Sequence, residues 1–295
     1  MSSLSVRGLS KTIRGRQVLS GVDFALERGE AAGLVGINGA GKSSVLKCVA
    51  GLWRARGEIL FEGKPVREDY VAFARNTGAL IEYPALFPQM TLWENVLYFA
   101  DFYGDGAVEE AARLADLLGL AQAKEKKLRA FSSGMKQKAC LLIVLMKRPS
   151  LLLLDEPTSM LDPKSAAEIR SFIGHIRRER GISLLIASHN LAEIEDICDC
   201  ALLIDGGRLT GKIRLHARGT VKAFRFTFQT AAKAEEAYRA AEGRYAVQTE
   251  GRCLVLYADA QQMQDFLQKC KPDFLDLSAG SGLEMQFTEQ RGKGI

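Results

Sequence analysis

No stretch of this chain is apolar for long enough to cross a bilayer as a helix. The longest apolar run is Ala139–Met146, whereas a span needs roughly 20 such residues. The opening residues, Met1-Ser2-Ser3-Leu4-Ser5-Val6-Arg7, lack the apolar core of a secretory leader. Any membrane task must therefore be shared with another chain. Cysteine is sparse and poorly spaced for metal: of the six, Cys198 and Cys200 form only a C-x-C pair with no second pair or nearby histidine. That argues against a zinc site and leaves reduced, buried thiols of a cytosolic protein as the simpler account. Charge of one sign is also missing. The 40 Lys and Arg against 35 Asp and Glu give a net charge of +5, and the two signs nearly balance from His216 onward. Without a clustered basic face, a nucleic-acid partner is not expected. Internal repeats and low-complexity linkers are absent.

What is present is core-forming material. With 47% hydrophobic and 25% charged residues among 295, the chain suits one large domain plus a small one. Short β-rich segments open it, at Leu4–Gly8 and Val18–Glu27, followed by the apolar run Ala31–Val35, a glycine-rich turn and a helix over Ser43–Ala50. Gly57–Phe61 and the Glu62-Gly63 turn predict a hairpin. From Thr91 to Met146 the pattern is helical, with Leu92, Val96, Phe99 and Phe102 on one apolar face and Val108–Leu118 forming another. Continuous apolar strands then return at Leu151–Leu154, Leu184–Ala187 and Ala201–Ile204, the kind buried in a parallel sheet. Helices over Pro163–Arg180 and Leu191–Ile197 separate them. This is an α/β core interrupted by a helical insertion. Beyond about residue 215 the order becomes β-α-β-β-α-β, the split βαβ arrangement.

Two motifs carry chemistry on their own. Gly36-Ile37-Asn38-Gly39-Ala40-Gly41-Lys42-Ser43, with Ser44 behind it, fits G-x-x-x-x-G-K-[ST] between a predicted strand and helix. Glycines there let backbone N–H groups turn inward around phosphate oxygens, and the helix N-terminus adds positive potential. Lys42 reaches the β- and γ-phosphates, and the Ser43 hydroxyl suits Mg²⁺. Leu151–Leu154 delivers Asp155 and Glu156 at the C-terminal end of a strand, where open α/β sheets bind ligands. Asp155 is the expected Mg²⁺ ligand, and Glu156 the group that polarises an attacking water. A nucleotide, ATP, is the implied substrate.

The NTPase class is indicated by Phe131-Ser132-Ser133-Gly134-Met135-Lys136-Gln137-Lys138, which resembles the signature motif of ABC ATPases. The likeness continues through Asp155-Glu156-Pro157-Thr158-Ser159-Met160-Leu161-Asp162-Pro163, where Ser159–Asp162 matches the D-loop, and ends at Ala187-Ser188-His189, which matches the switch histidine. The resemblance spans about residues 4–212. It implies an ABC-type P-loop core with an antiparallel β subdomain over residues 1–215, carrying a helical subdomain at about 91–148. Residues 216–295 form a small α+β accessory domain. It further implies that two nucleotide domains sandwich two ATP molecules head to tail. Ser132 and Gly134 of one then face the γ-phosphate bound by the other, and His189 contacts the γ-phosphate in its own chain. The implied partners are a second copy or a paired ATPase subunit, and an integral-membrane permease. That would place the chain in the cytoplasm, peripheral on the inner face of the membrane.

Departures from the family pattern narrow the subfamily. Ser133 and Met135 replace the usual signature glycine and glutamine, as in bacterial ABC-2 exporters. The aromatic that stacks on adenine aligns with Ile13, leaving Val18 to line the base. The Q-loop glutamine aligns with Glu82, a variant resembling the ATPases of lantibiotic and bacitracin self-protection exporters. Glu82 is thereby assigned to both the metal and the attacking water. This resemblance implies export of a peptide antibiotic or another amphiphilic compound. A degenerate ABC protein that binds ATP as a structural or regulatory module, and a soluble ABC ATPase outside transport, remain as alternatives. The close Leu283-Glu284-Met285-Gln286-Phe287 resembles the L-E-x-x-F ending of many such subunits.

Overall fold

The computed structural model describes residues 2–82, 86–215, 222–242, 244–258, 260–270 and 272–280. The chain divides into two compact units, Met1–Ile213 and Arg214–Ile295. The Leu283–Phe287 segment lies outside the described residues.

The first unit opens on long strands β1 (Ser2–Ile13) and β2 (Arg16–Glu27), which pair antiparallel around the Arg14-Gly15 turn. Buried β3 (Ala31–Val35) leads through the glycine-rich loop into α1 (Lys42–Val49). The expected hairpin is β4 (Arg56–Phe61) and β5 (Lys64–Pro65). Its two turn residues, Glu62 and Gly63, both have positive φ, at 50° and 79°, the geometry of a tight primed turn. After α2 (Tyr70–Asn76) and β6 (Thr77–Leu80) come the insertion helices α3 (Leu92–Tyr103), α4 (Ala107–Leu117) and α5 (Ser133–Leu145). A Thr91–Glu94 capping box starts α3, satisfying two backbone N–H groups that would otherwise lack partners.

Core strands then alternate with helices: β7 (Leu151–Asp155), α6 (Pro163–Arg180), β8 (Ser183–Ala187), α7 (Leu191–Ile197), β9 (Cys200–Asp205) and β10 (Arg208–Arg214). The parallel-reading runs pair as parallel strands, in a six-stranded sheet of order β10-β9-β3-β8-β7-β6. A separate antiparallel sheet has the order β2-β1-β4-β5. Helix α1 lies between the sheets, with Val45, Leu46 and Val49 fully buried in the shared core. One expectation fails within α3. Leu92 and Val96 are fully buried, but Phe102 is 68% exposed. Its ring lies tilted against Tyr98, centroids 5.5 Å apart, instead of completing the core face.

The second unit holds β11 (Lys222–Thr227), α8 (Ala231–Ala241), β12 (Ala246–Glu250), β13 (Cys253–Ala258), α9 (Ala260–Cys270) and β14 (Asp276–Gly280). Its strands form an antiparallel sheet of order β12-β13-β11-β14. Alternation along β11 and β13 sends Phe226, Leu254 and Leu256 to the face where α8 and α9 supply Ala234, Ala241 and Phe266. This unit therefore has its own core.

Candidate functional site

The glycine-rich loop joins the C-terminal end of a central strand, β3, to the N-terminus of α1. Gly36 sits so close to the Ile204 carbonyl that a side chain there would collide with backbone. Gly41, with φ 112°, forms the N-cap of α1 without a side-chain cap, so the first N–H groups of the helix stay directed at the loop. The loop is tied down from outside as well: the Gly207 N–H donates to the Ala40 carbonyl at 2.9 Å. Gly207 in turn lies against the Val18 carbonyl, where a side chain would clash. Lys42 is buried, and its ammonium donates to the carbonyls of Gly36 at 2.8 Å and Ile37 at 3.3 Å. Ile37, Asn38 and Gly39 complete the rim, with Ser44 in the first turn of α1.

Parallel pairing of β7 with β8 sets Asp155 opposite Ala187 and so gathers the remaining groups. Ser43 donates from Oγ to Asp155 Oδ1 at 3.1 Å. Burial pushes the Asp155 carboxyl above its usual range; the Ser43 hydrogen bond and the Lys47 and Lys42 charges offset part of that, while the Glu82 charge adds to it. Glu156 stands at positive φ, 49°, and its two oxygens grip one residue. Oε1 accepts from the His189 backbone N–H at 3.1 Å, and Oε2 lies 2.7 Å from His189 Nδ1. Sequence separates these residues widely, but adjacent parallel strands bring them together.

Glu82 follows β6 at φ 60° and pairs with Lys47 of α1. Ser132 and Gly134 lie at the start of α5. Ser132 is its N-cap, accepting from the Met135 N–H at 3.3 Å. Gly134 is buried against α6, where a Cβ would sit 2.6 Å from Ser165 Oγ. In the D-loop, Ser159 Oγ donates to the Glu156 carbonyl at 2.9 Å, Asp162 caps α6, and Met160 is 90% exposed at φ 61°. Ile13 is half-buried beside the β1–β2 turn, whereas Val18 touches the phosphate loop through its carbonyl.

Two polar residues near these groups escaped the sequence reading. Lys47 lies four residues after Ser43 on α1. Glu193 of α7 is 1% exposed and accepts from Thr158 Oγ1 at 2.7 Å and from Ser188. It thus links the residue two after Glu156 to the residue before His189. Burial raises its pKa against the two hydrogen bonds, with the Glu156 charge adding to the rise. A buried acid at the start of an amphipathic helix is detectable in sequence, but its two partners are not.

Among the described residues no helix is long and apolar enough to cross a membrane, and no His, Cys, Asp or Glu group has the arrangement of a metal cluster. All six cysteines are free, four of them buried. A family profile described as "ABC transporter" matches residues 19–159. The uncharacterized ABC transporter ATP-binding protein YhcH of Bacillus subtilis is 32% identical over 207 residues, covering 70% of this chain and 68% of its own. The lantibiotic transport ATP-binding protein SrtF of Streptococcus pyogenes is 34% identical, over 70% of this chain and 88% of its own. The structure of cbiO1 from Clostridium perfringens, described as part of the ABC transporter complex cbiONQ, superposes with a TM-score of 0.66 at 26% identity. It covers 72% of this chain and 88% of that one. Loop, paired strand ends and relatives agree: the chain belongs to the ABC transporter ATP-binding family and is an ATPase.

Proposed function

We propose that this chain is the ATP-hydrolysing motor of an ABC exporter, acting as a dimer beneath a separate membrane permease. The observation that carries the catalytic part is the Glu156–His189 pair, just past the ends of β7 and β8, beside the Ser43–Asp155 pair that joins the start of α1 to the end of β7. In this reading the loop N–H groups and Lys42 bind the β- and γ-phosphates, with the ammonium moving from loop carbonyls to phosphate oxygens. Ser43 and Asp155 offer adjacent hard oxygens, the donor type Mg²⁺ takes together with substrate phosphates. When bound, the ion would neutralise charge developing between the phosphates. Glu156 orients and polarises the attacking water, and His189 contacts the γ-phosphate while its backbone N–H holds the glutamate.

Dimerisation is supported by what one copy leaves outside its own pocket. Ser132 caps α5 and Gly134 packs on α6, and among the described residues neither is bonded to the phosphate loop. Met160 presents an exposed side chain from a left-handed backbone position. A second copy facing head to tail would supply both contacts. Export of a peptide antibiotic or other amphiphile is supported by the relative named for lantibiotic transport and by Glu82 at the Q-loop position. Residues 216–295 serve as an accessory domain in this reading.

Glu156→Gln tests the proposal. It keeps shape and hydrogen-bonding size but removes the base, a role worth ~10²–10⁴-fold in rate. ATP binding should persist, turnover should vanish, and Mg-ATP should build a dimer visible by size exclusion. A variant that hydrolyses normally and stays monomeric overturns the assignment. Co-purification with a membrane permease, and loss of export-dependent resistance in the same variant, tests the transport half.

A further inference from the structure

We propose that Lys47 is a positioning residue of the nucleotide site, holding the Glu82 carboxylate against the phosphate-loop helix and cancelling its charge beside Asp155. The inference rests on the site described above and assigns it a part that the motifs do not contain.

Spacing provides the first support. Lys47 follows Ser43 by four residues on α1, so both side chains lie on one helix face, a turn apart. Ser43 points to Asp155, and Lys47 points to Glu82. One helix thereby handles both carboxylates. Immobilisation provides the second. An ion pair on an open surface contributes little, since two long side chains must be frozen in water. Lys47 is already frozen: its side chain is 15% exposed, and its ammonium stands 4.7 Å from the centre of the Trp53 ring. The Trp53 backbone N–H donates to the Lys47 carbonyl at 3.1 Å, which ties the two residues together at the end of α1. Lys11 reaches the same ring at 5.7 Å but spends its ammonium on the Arg54 carbonyl at 2.6 Å. Lys47 is therefore the cation that meets Glu82.

Charge balance provides the third. Asp155 feels Lys47 and Lys42 as stabilising charges and Glu82 as a repelling one. A neutral glutamine at position 82 would need no counter-charge, whereas a glutamate adds a negative charge where phosphates must bind. Without Lys47, only Lys42 remains to offset that charge beside Asp155. The ion pair also joins α1 to the residue two beyond the end of β6, so Glu82 starts from a defined position.

The test is a double-mutant cycle on the full chain with Lys47→Gln, Glu82→Gln and both together. The readouts are affinity for a fluorescent ATP analogue without Mg²⁺ and steady-state ATPase across a Mg²⁺ titration. Lys47→Gln should weaken metal-free nucleotide binding about two- to fivefold, because the Glu82 side chain is 70% exposed and water screens part of its charge. The double variant should recover most of that loss, because the charge needing compensation is gone. Lys47→Arg should stay close to the parent, which separates charge from folding if Lys47→Gln melts early. Unchanged binding in Lys47→Gln, or equal losses in Lys47→Gln and the double variant, overturns the inference. Glu156→Gln run in parallel keeps the failures apart: if it stops turnover while the Lys47 cycle is additive, the site stands and only Lys47 loses its role.

Discussion

At the scale of single residues, the polar groups of the proposed site are bonded to one another and to the backbone. Lys42 is the clearest case, since a buried ammonium must be bonded and uses the carbonyls of Gly36 and Ile37. Lys42→Ala should cost ATP affinity roughly 10- to 100-fold, the worth of a hydrogen bond to a charged group. Titration of a fluorescent nucleotide against the variant checks this, with a melting curve as the folding control; equal affinity would mean that phosphate binds elsewhere. Glu193 makes a different prediction. Glu193→Ala strands the Thr158 and Ser188 hydroxyls, an unpaired-group cost of about 1–3 kcal/mol. It should lower the melting temperature by several degrees and reduce kcat more than it raises KM. Glu193→Gln keeps an acceptor for both hydroxyls and should recover most of each loss.

At the scale of elements, one buried acid helps tie the helical insertion to the core. Glu110 of α4 is 3% exposed and pairs with Arg180 at the end of α6, with Arg148 after α5 at 2.8 Å and with Arg113 on its own helix at 3.3 Å. Burial alone would raise its pKa, but the Arg180 hydrogen bond and charge, with those of Arg148 and Arg113, outweigh it and hold the carboxyl below its ordinary 4.5. A depressed acid stabilises the fold above its unfolded pKa, and that contribution is lost as pH falls through the folded value. Urea midpoints should therefore drop as pH is lowered below 4.5, and the drop should be shallower in Glu110→Gln. At neutral pH the same change should cost about 1–3 kcal/mol, since of the three arginines only Arg180 is largely buried. A pH dependence identical to the parent's would remove Glu110 from this role.

At the scale of the whole molecule, the proposed dimer makes a complementation experiment decisive. Ser132→Arg should leave nucleotide binding by one copy intact yet stop hydrolysis, because it damages only the partner's pocket. Lys42→Ala damages its own. A mixed dimer of the two carries one pocket with both defects and one with neither, so about half the parental rate should return. Mixed dimers that form but stay inactive would count against head-to-tail assembly.

Much of this was legible in the chain, because phosphate binding and parallel β-sheets impose local patterns. A glycine loop ahead of Lys42-Ser43 needs backbone N–H groups in sequence order, and a buried parallel strand is written as an uninterrupted apolar run, as at Leu151–Leu154 and Leu184–Ala187. The helices Pro163–Arg180 and Ala260–Cys270 likewise carry their own periodicity. What local pattern does not encode is which residues distant in sequence become neighbours. The grip of Glu156 on His189 depends on β7 lying beside β8. The Lys47–Glu82 pair depends on α1 meeting the end of β6, and the burial of Glu110 on two arginines brought from other elements. Exposure is decided the same way. Phe102 continues the apolar stripe of α3 in sequence but is 68% exposed, whereas Tyr103 beside it lies under Lys147 from beyond α5. Backbone preference and periodicity are properties of a segment, so the sequence by itself marked the phosphate loop and the long apolar strands and helices, but not the short α2 and β6 or the half-exposed β10. Charge compensation and burial belong to pairs that only close packing brings together, and the tertiary structure decided those.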